Sequence, residues 1–419
     1  MENRYDRYKD SGIAWIGEIP EHWKITKIQY LAQLKSGYSL TTEEITDNGL
    51  YPVYGGNGIR GYYDKYFLEG DYVLIGRQGA LCGNINYSTN KSWATEHAVV
   101  CYPKIKYVTR WFGELLRVMN LNQYSLAAAQ PGLAVERIKL LPIPIIPLPE
   151  QQSIAAYLDQ KCGEIDELIT LQEEMITKLQ SYKQSVITEA VTKGLNKNVP
   201  LKDSGIEWIG EIPEHWEASK TLFVLSMSIT DGPHTTPELF ETGIPFVSAE
   251  AVSFGNGRID FSHIRGYISE IFYQECCKKY IPQIDDIYMI KSGATTGRVA
   301  IVDADIKFTI WSPLAVFRCN KERMLPRFLF YQLQSNGYQK QIELNWSYGT
   351  QQNIGMRTLE KLILSVPPLP EQYSIADYLD KKCSEIDELI SIKQQKIEKL
   401  KEYKKSLIFE CVTGKRKVS

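Results

Sequence analysis

The sequence lacks the features that would identify a membrane protein, a disulfide-rich secreted protein or a metalloprotein. No stretch of its 419 residues approaches the 18 consecutive apolar residues that a membrane-spanning helix needs. The first ten residues are polar and predict no secretory signal. The eight cysteines include no CxxC pair, and the five histidines show no metal-ligand spacing. We therefore expect no membrane span, no metal site and a reducing, cytoplasmic location.

The chain also lacks the excess of basic residues that is typical of nucleic-acid-binding proteins. Its formal net charge is −2, with 16 basic against 15 acidic residues in positions 1–150 and 17 against 19 in positions 196–370. A nucleic acid would therefore have to bind to local basic patches, or partner subunits would have to supply much of the charge.

Motifs for nucleotide binding and catalysis are missing as well. Residues 56–61 match GxGxxG, but the tyrosines that follow predict β structure where a dinucleotide-binding helix would begin. Residues 293–297 lack the Lys-Ser/Thr ending of a phosphate loop, and no Asn-Pro-Pro-Tyr methyltransferase motif occurs. Glu402 and Lys404 resemble half of a nuclease motif, but they fall in a predicted coiled-coil helix. The sequence thus predicts no catalytic residue and no cofactor site in this chain.

What the sequence does contain is an internal repeat. Residues 9–23 (KDSGIAWIGEIPEHW) match residues 202–216 (KDSGIEWIGEIPEHW) at 14 of 15 positions, and we call this segment the IPEHW motif. Residues 147–169 match residues 368–390 at 19 of 23 positions, and we call this segment the PLPEQ motif. His22 and His215 lie inside the IPEHW motifs, where we predict a structural role beside the tryptophan that follows each of them.

Between these motifs the repeat is fainter but keeps its order. Residues 77–83 (RQGALCG) align with residues 291–297 (KSGATTG), so Arg77 and Lys291 occupy matching positions. The offset between the copies rises from 193 to 214 and then to 221, so the second copy carries about 21 and then 7 extra residues. A closely repeated frame with a diverged interior indicates one scaffold that presents two different surfaces.

Each copy therefore comprises an IPEHW motif, a globular domain and a long helix. We predict mixed α/β (α+β) domains at residues 1–148 and 196–369, and long helices at residues 149–195 and 370–419. Strand-like runs occur at 72–75, 98–102, 287–290 and 299–302, and shorter helical stretches occur at 111–119 and 328–333. Pro149 and Pro370 suit a first helical turn, where Glu150 and Glu371 favour the positive end of the helix dipole.

The long helices carry apolar residues at alternating spacings of three and four, which is typical of a coiled coil. We predict one seam through Ile165, Leu168, Gln172, Met175, Leu179, Tyr182 and Val186, and another through Ile386, Leu389, Lys393, Lys396, Leu400, Tyr403 and Leu407. Ile169 with Ile176, and Ile390 with Ile397, widen each apolar stripe. Their match favours antiparallel pairing, with one domain at each end and a pseudo-two-fold axis between the copies. Residues 153–191 alone would measure roughly 58 Å, which indicates a spacer. The alternative is that each helix packs only on its own domain.

With these motifs, the sequence resembles the specificity subunit of type I restriction–modification systems over essentially its whole length. The resemblance rests on the two IPEHW motifs, the two PLPEQ motifs and residues 231–237 (DGPHTTP). It implies that two target recognition domains each read one half of a split, asymmetric DNA site, while the paired helices set the spacing and dock the partners.

The resemblance also implies the partners and their cofactor. Two modification subunits would bind S-adenosylmethionine and methylate adenine in double-stranded DNA, and restriction subunits would translocate and cleave it in host defence. The chain itself would be a non-catalytic, DNA-binding subunit without a cofactor. The same subunit in a system that cuts at fixed positions, a self-contained nuclease and a coiled-coil scaffold that does not bind DNA are the alternatives.

Candidate contacts to DNA are polar and basic side chains beside glycine-rich turns, because such side chains pair with base edges and phosphates. In the first domain they are Asn57, Arg60, Arg77, Gln78 and Lys91, and in the second they are His234, Thr235, Thr236, Lys291, Ser292, Arg298, Gln351 and Asn353. Tyr62, Tyr63 and Tyr348 are further candidates for contacts to phosphates or bases. The matching positions of Arg77 and Lys291 favour phosphate binding, because the bases read by the two domains should differ.

Overall fold

The structure, a computed structural model, describes residues 4–79, 81–125, 132–348 and 352–418. The chain forms two compact units, one of Met1–Glu173 with Gln394–Ser419 and one of Glu174–Lys393. Each unit contains one globular domain, the first part of the long helix that follows it and the last part of the other long helix. No helix among the described residues is both long and apolar enough to cross a membrane.

The globular domain of the first unit, called the first domain below, is built on two four-stranded sheets. One has the antiparallel order β4-β11-β8-β9 and the other has the order β6-β5-β10-β7, in which β5 and β10 are parallel. Two smaller pairs, β1-β2 and β3-β12, are antiparallel. The strands are β1 (Tyr8–Asp10), β2 (Glu18–Pro20), β3 (Lys24–Lys27), β4 (Ala32–Ser36), β5 (Tyr51–Gly55), β6 (Gly58–Tyr63), β7 (Leu68–Glu69), β8 (Val73–Gly76), β9 (Ile85–Tyr87), β10 (Lys91–Ala94), β11 (Ala98–Pro103) and β12 (Pro142–Ile145).

The globular domain of the second unit, the second domain, repeats this plan. Its antiparallel sheet has the order β16-β22-β19-β20, and its smaller sheet β18-β17-β21 again contains one parallel pair, β17 with β21. The pairs β13-β14, β15-β25 and β23-β24 are antiparallel. The strands are β13 (Leu201–Asp203), β14 (Glu211–Pro213), β15 (Glu217–Lys220), β16 (Thr230–Asp231), β17 (Ile244–Val247), β18 (Tyr267–Ile268), β19 (Ile287–Ile290), β20 (Val299–Ile301), β21 (Thr309–Ile310), β22 (Leu314–Phe317), β23 (Ser347–Tyr348), β24 (Gln352–Asn353) and β25 (Ile363–Val366).

The helices differ more between the domains than the sheets do. The α-helices are α1 (Ile28–Leu31), α2 (Thr109–Val118), α3 (Val135–Ile138), α4 (Leu148–Lys193), α5 (Ala249–Phe254), α6 (Glu270–Cys277), α7 (Pro326–Gln334), α8 (Asn336–Asn345), α9 (Met356–Leu359) and α10 (Leu369–Val412), with 3-10 turns at Thr42–Glu44, Leu121–Tyr124, Thr221–Val224 and Phe261–His263. Helices α5 and α6 lie between β17 and β19, where the first domain has a much shorter connection between β5 and β8. They account for most of the extra residues of the second copy.

The predicted strands and helices of the domains are confirmed by β8, β11, β19, β20, α2 and α7. The GxGxxG-like segment is also β structure, because it forms the turn and first residues of the β5-β6 hairpin.

Each domain is fixed to the long helices by an apolar core. In the first unit, Trp111 and Leu115 of α2 are fully buried with Leu158 of α4 and Leu407 of α10. The second unit has the same arrangement, in which α7 packs with residues of α10 and of the end of α4. Full burial of one such side chain contributes about 1.5–3 kcal/mol. The packing therefore holds each domain firmly on its part of the helix pair.

The helix seams are only partly as predicted. On α4, Ile165, Gln172 and Val186 are buried, but Leu168, Met175 and Tyr182 are 42%, 44% and 54% exposed. On α10, Ile386 and Leu407 are buried, but Leu389, Lys396 and Tyr403 are exposed. Of the residues that widen the predicted stripes, Ile397 is buried and Ile169, Ile176 and Ile390 are half-buried. Leu168 and Ile169 are both apolar, so the heptad pattern alone could not decide which of them faces the partner helix.

Two equivalent ion pairs show that the helices are antiparallel. In the first unit, the Lys404 ammonium donates to both carboxylate oxygens of Asp166, at 2.6 and 2.7 Å. In the second unit, the Lys183 ammonium donates to both oxygens of Asp387, at 2.7 Å each. Lys183 and Lys404 are equivalent in the repeat, as are Asp166 and Asp387. The helices therefore pair in the same register in both units.

Candidate nucleic-acid interface

The two repeated motifs bind each other in both units. In the first, His22 Nε2 lies 3.0 Å from Glu150 Oε2, and Trp23 Nε1 donates to Glu150 Oε1 at 3.1 Å. In the second, His215 and Trp216 contact Glu371 in the same way, at 2.7 and 3.0 Å. The predicted structural role of the histidines is confirmed. The glutamate that the helix dipole favours is also the residue that anchors the start of each long helix.

The glutamine of each PLPEQ motif ties the long helix to its own domain, a role that the sequence reasoning missed. Gln151 accepts a hydrogen bond from the Val108 backbone N–H at 2.9 Å, and Gln372 accepts one from the Leu325 N–H at 2.7 Å. Val108 and Leu325 precede α2 and α7, where N–H groups have no partner inside the helix. Repetition of the glutamine in both motifs was the available signal.

This frame holds a matching loop in each domain, residues 77–84 after β8 and residues 291–298 after β19. The Arg77 carbonyl accepts from the Leu133 N–H at 2.9 Å, and the Lys291 carbonyl accepts from the Ile354 N–H, also at 2.9 Å. Two residues after Arg77 and two residues after Lys291, the loop contains a glycine with positive φ, which is +93° at Gly79 and +110° at Gly293. The two basic residues thus lie at equivalent positions of two equivalent loops.

The side chains of the two basic residues also have matching partners. Arg77 Nη1 donates to Ser36 Oγ at 3.2 Å, and Lys291 Nζ lies 3.3 Å from Asp231 Oδ2. Ser36 ends β4 and Asp231 ends β16, the outer strands of the corresponding sheets. We call Ser36 and Asp231 the tether residues. Neither residue is among the DNA contacts predicted from the sequence, although Asp231 is the first residue of the DGPHTTP segment.

A glycine follows each tether residue and has no room for a side chain. A Cβ on Gly37 would lie 2.0 Å from the Ala94 carbonyl oxygen, and a Cβ on Gly232 would lie 2.0 Å from the Ile310 carbonyl oxygen. Close approach of two backbones is a common reason for glycine in such turns. The turn after each tether residue is therefore held closely against the neighbouring sheet.

In the first domain, the structure brings four of the five predicted residues together. Asn57 lies in the β5-β6 turn and accepts a hydrogen bond from Asn84 of the Arg77 loop at 2.8 Å. The exposed Gln78 follows Arg77, and Arg60 lies on β6 beside the same turn. Lys91 lies apart on β10, with its ammonium 4.7 Å from the centre of the Tyr66 ring. No described contact joins Lys91 to the other four.

The second domain gathers its predicted residues around Asp231 and the Lys291 loop. His234 Nε2 lies 3.2 Å from Asp231 Oδ2, and the exposed Thr235 and Thr236 follow it. Ser292 pairs with Asn353 in an isolated antiparallel bridge.

Of the remaining predicted residues in the second domain, Arg298 ends the loop of residues 291–298, whereas Tyr348 and Gln351 belong to a segment that the structure describes only in part. Arg298 is exposed, and its Nη1 donates to the Ser253 carbonyl at 3.2 Å. Gln351 lies outside the described residues, and Tyr348 is described only as part of strand β23.

Asp231 is the centre of this cluster. Its side chain is 1% exposed and contacts the ammonium groups of Lys279 and Lys291 as well as His234. Burial raises the pKa of the Asp231 carboxyl, but the hydrogen bond and charge of Lys279 and the charge of Lys291 outweigh burial and hold that pKa below its ordinary value. The group is therefore a carboxylate at neutral pH. Lys291 is 13% exposed and paired with a carboxylate, whereas the partner of the Arg77 side chain among the described residues is a neutral hydroxyl.

The arrangement offers two kinds of contact to a nucleic acid. Arginine and lysine side chains bind phosphates, while paired donors and acceptors on asparagine, glutamine and threonine read base edges. Each domain presents such side chains on two adjacent loops, and the loops share a backbone frame but differ in their side chains. The chain can thus present two different sets of contacts on one scaffold.

The chain also matches a known protein family. The family model described as the type I restriction modification DNA specificity domain matches the chain twice, at residues 20–180 and 232–402. The two matches together span well over half of the chain. The first contains the Arg77 loop, and the second begins directly after Asp231 and contains the Lys291 loop.

Individual relatives and one solved structure extend the match. The chain is 36% identical over 163 residues to the type I restriction enzyme EcoprrI specificity subunit of Escherichia coli, which spans 38% of this chain and 40% of that subunit. It is 24% identical to the MjaVIII specificity subunit of Methanocaldococcus jannaschii over 96% of this chain and 94% of that subunit. A chain solved in work on complex assembly and conformational transition of the type I R-M system has a similar fold, with a TM-score of 0.69 at 17% identity over 94% of this chain and 98% of that chain.

Proposed function

Since the chain belongs to the type I restriction–modification DNA specificity family, we propose that its first domain reads one half of a split DNA site and its second domain reads the other. The observation that carries this assignment is the pair of matching loops with different side chains. Gln78 stands where the second domain has Ser292, and Ser36 stands where it has Asp231. Side chains that differ at equivalent positions would select different bases, so the site would be asymmetric.

Helices α4 and α10 would act as the spacer between the two half-sites. The helices pair antiparallel in one register in both units, and each unit fixes its domain to the pair through a buried core. A spacer fixed in this way would hold the gap between the half-sites constant. Because an α-helix rises about 1.5 Å per residue, the length of the two helices would determine the length of that gap.

Two modification subunits are the proposed partners. The repeat preserves residues that are exposed in both copies, for example Glu164 with Glu385 and Leu168 with Leu389. Folding requires the buried part of a repeat to be preserved, but it does not require this of exposed side chains. Two copies of one exposed surface suit two copies of one partner. Restriction subunits would join the same complex.

The chemistry is assigned to those partners. The modification subunits would hold S-adenosylmethionine and methylate adenine, and this chain would supply sequence recognition without a cofactor of its own. The eight cysteines are free, which suits the reducing cytoplasm where such a complex would meet DNA.

The proposal is tested with the chain purified alone and together with its modification subunit. The complex should enrich one interrupted sequence from a pool of random double-stranded DNA and should transfer methyl groups to adenine within it. The chain alone should transfer none. Methyl transfer by the purified chain alone, or enrichment of an uninterrupted sequence by the complex, would contradict the proposal.

A further inference from the structure

The tether residues differ between the two domains in charge, and this difference has a consequence for DNA reading. Arg77 is held by the neutral hydroxyl of Ser36, whereas Lys291 is held by the carboxylate of Asp231. Among the described residues, no carboxylate pairs with Arg77 and offsets its charge. In the second domain, one carboxylate is shared by two ammonium groups and the His234 ring.

Asp231 cannot itself reach a base, because its side chain is 1% exposed. Its partners can, since His234 is 72% exposed and Lys279 is 48% exposed. The carboxylate thus lies beneath a surface formed by side chains from three separate segments, namely the 232–236 loop, the residues that follow α6 and the 291–298 loop.

The backbone of Asp231 is held by pairing and by close packing. Asp231 pairs with Ala315 of β22, and the next residue, Gly232, is packed against the Ile310 carbonyl. The Lys291 backbone is fixed to the same sheet, since its N–H donates to the Pro313 carbonyl at 2.8 Å. A carboxylate held in this way between two loops can fix the side chains of both, which long lysine side chains do not achieve by themselves.

We propose that Asp231 is a positioning residue for DNA reading by the second domain, which acts by holding Lys291, Lys279 and His234 in one arrangement. This inference rests on the proposed half-site function. Loss of the carboxylate would free two ammonium groups that are now paired. Reading of the second half-site should then weaken, while sequence-independent attraction to phosphates should increase.

The test uses Asp231→Asn in the full chain, in complex with the modification subunit. Binding is compared on the intact site, on a site with the first half scrambled and on a site with the second half scrambled, each at several salt concentrations. We expect the preference for the intact second half to fall about tenfold or more, with an unchanged preference for the first half. Binding to unrelated DNA should be equal or tighter, with a salt dependence steeper by up to about two counterions.

Asp303→Asn is the matched control, because Asp303 is a carboxylate of the same domain that pairs with an arginine, Arg258, away from the loop cluster. It should change none of these preferences. A merely structural role for Asp231 would lower the melting temperature and weaken binding to all three sites equally, and that result would overturn the inference. So would a folded Asp231→Asn complex with normal discrimination at the second half.

If Asp231→Asn does not fold, a second variant tests the same role of Asp231. His234→Ala removes an exposed partner without touching the core, and it should weaken discrimination of the second half alone. Unchanged discrimination in that variant would overturn the inference. If the unaltered complex showed no dependence on the second half, the half-site proposal itself would fail.

Discussion

A fragment of residues 1–200 should form a symmetric dimer. In the whole chain, the end of α10 covers the first domain with Leu407, Ile408, Cys411 and Val412. The end of α4 carries Val186, Ile187, Ala190 and Val191 at the equivalent positions, and the second unit buries them in the same way. A second copy of the fragment can therefore supply side chains of similar size to the face that α10 leaves uncovered.

The register of the helices supports the same expectation. Lys183 pairs with Asp387, and Asp387 is the equivalent of Asp166. In a dimer of the fragment, Lys183 of each copy would meet Asp166 of the other, so two ion pairs would form. Apolar and ionic contacts of α4 are thus compatible with self-pairing in the register that the whole chain uses.

The strength of the dimer can be bounded from the buried side chains. Val186, Ile187 and Val191 of both copies contribute about 1.5–3 kcal/mol each when fully buried, or roughly 9–18 kcal/mol together. Association itself costs roughly 4–15 kcal/mol. The difference between these ranges includes a net gain of about 5.5–8 kcal/mol, which corresponds to a dissociation constant on the order of 1–100 μM. Sedimentation equilibrium over that concentration range measures it.

Charge reversal supplies the control. Asp166→Lys in the fragment removes both ion pairs of the dimer and places like charges together, which should raise the dissociation constant about tenfold. Adding Lys183→Asp should restore it, because the pair is then re-formed with reversed charges. A fragment that stays monomeric at 100 μM, or a reversed pair that restores nothing, would refute the equivalence of the two helices. With its modification subunit, the dimer should methylate a palindromic site built from the first half-site twice.

Three further outcomes are expected of the full complex. Insertion of one heptad after Leu179 and another after Leu400 adds roughly 10 Å of helix, so methylation mapping should show a gap longer by a few base pairs and unchanged half-sites. Gln78→Ala should relax base preference in one half-site and Thr236→Ala in the other, each by about 1–3 kcal/mol in competition binding. Arg77→Ala should weaken binding to every sequence and lower the slope of log affinity against log salt by about one, because a phosphate contact is lost.

The repeated motifs made much of the fold predictable from the sequence. Nearly identical segments fixed where both long helices begin, and the composition of the domains indicated mixed α/β structure. The choice between Leu168 and Ile169 in the seam was not predictable, because both are apolar and only the packed partner helix distinguishes them. The structure of the extra residues in the second domain was not predictable either, because they form α5 and α6, which have no counterpart in the first copy.

The candidate site was predictable in part. Arg77 and Lys291 were recognisable because the repeat aligns them, and the loops that carry them do have the same backbone connections. The partners of these residues come from strands about 40 and 60 positions earlier in the sequence, and nothing in the local pattern links them. The buried ion pair of Lys291 with Asp231 therefore changes how that lysine is understood, from a free phosphate ligand to a member of a charged cluster.

Mapping of methylated adenines in a host that carries this chain and its modification subunit tests the central claim most directly. The unaltered chain should direct methylation to a single interrupted, asymmetric motif. The variant with Asn57→Ala and Gln78→Ala should change the bases in one half of that motif and leave the other half and the gap as they were. A motif without an interruption, or a methylation pattern that is identical with and without these substitutions, would contradict the account.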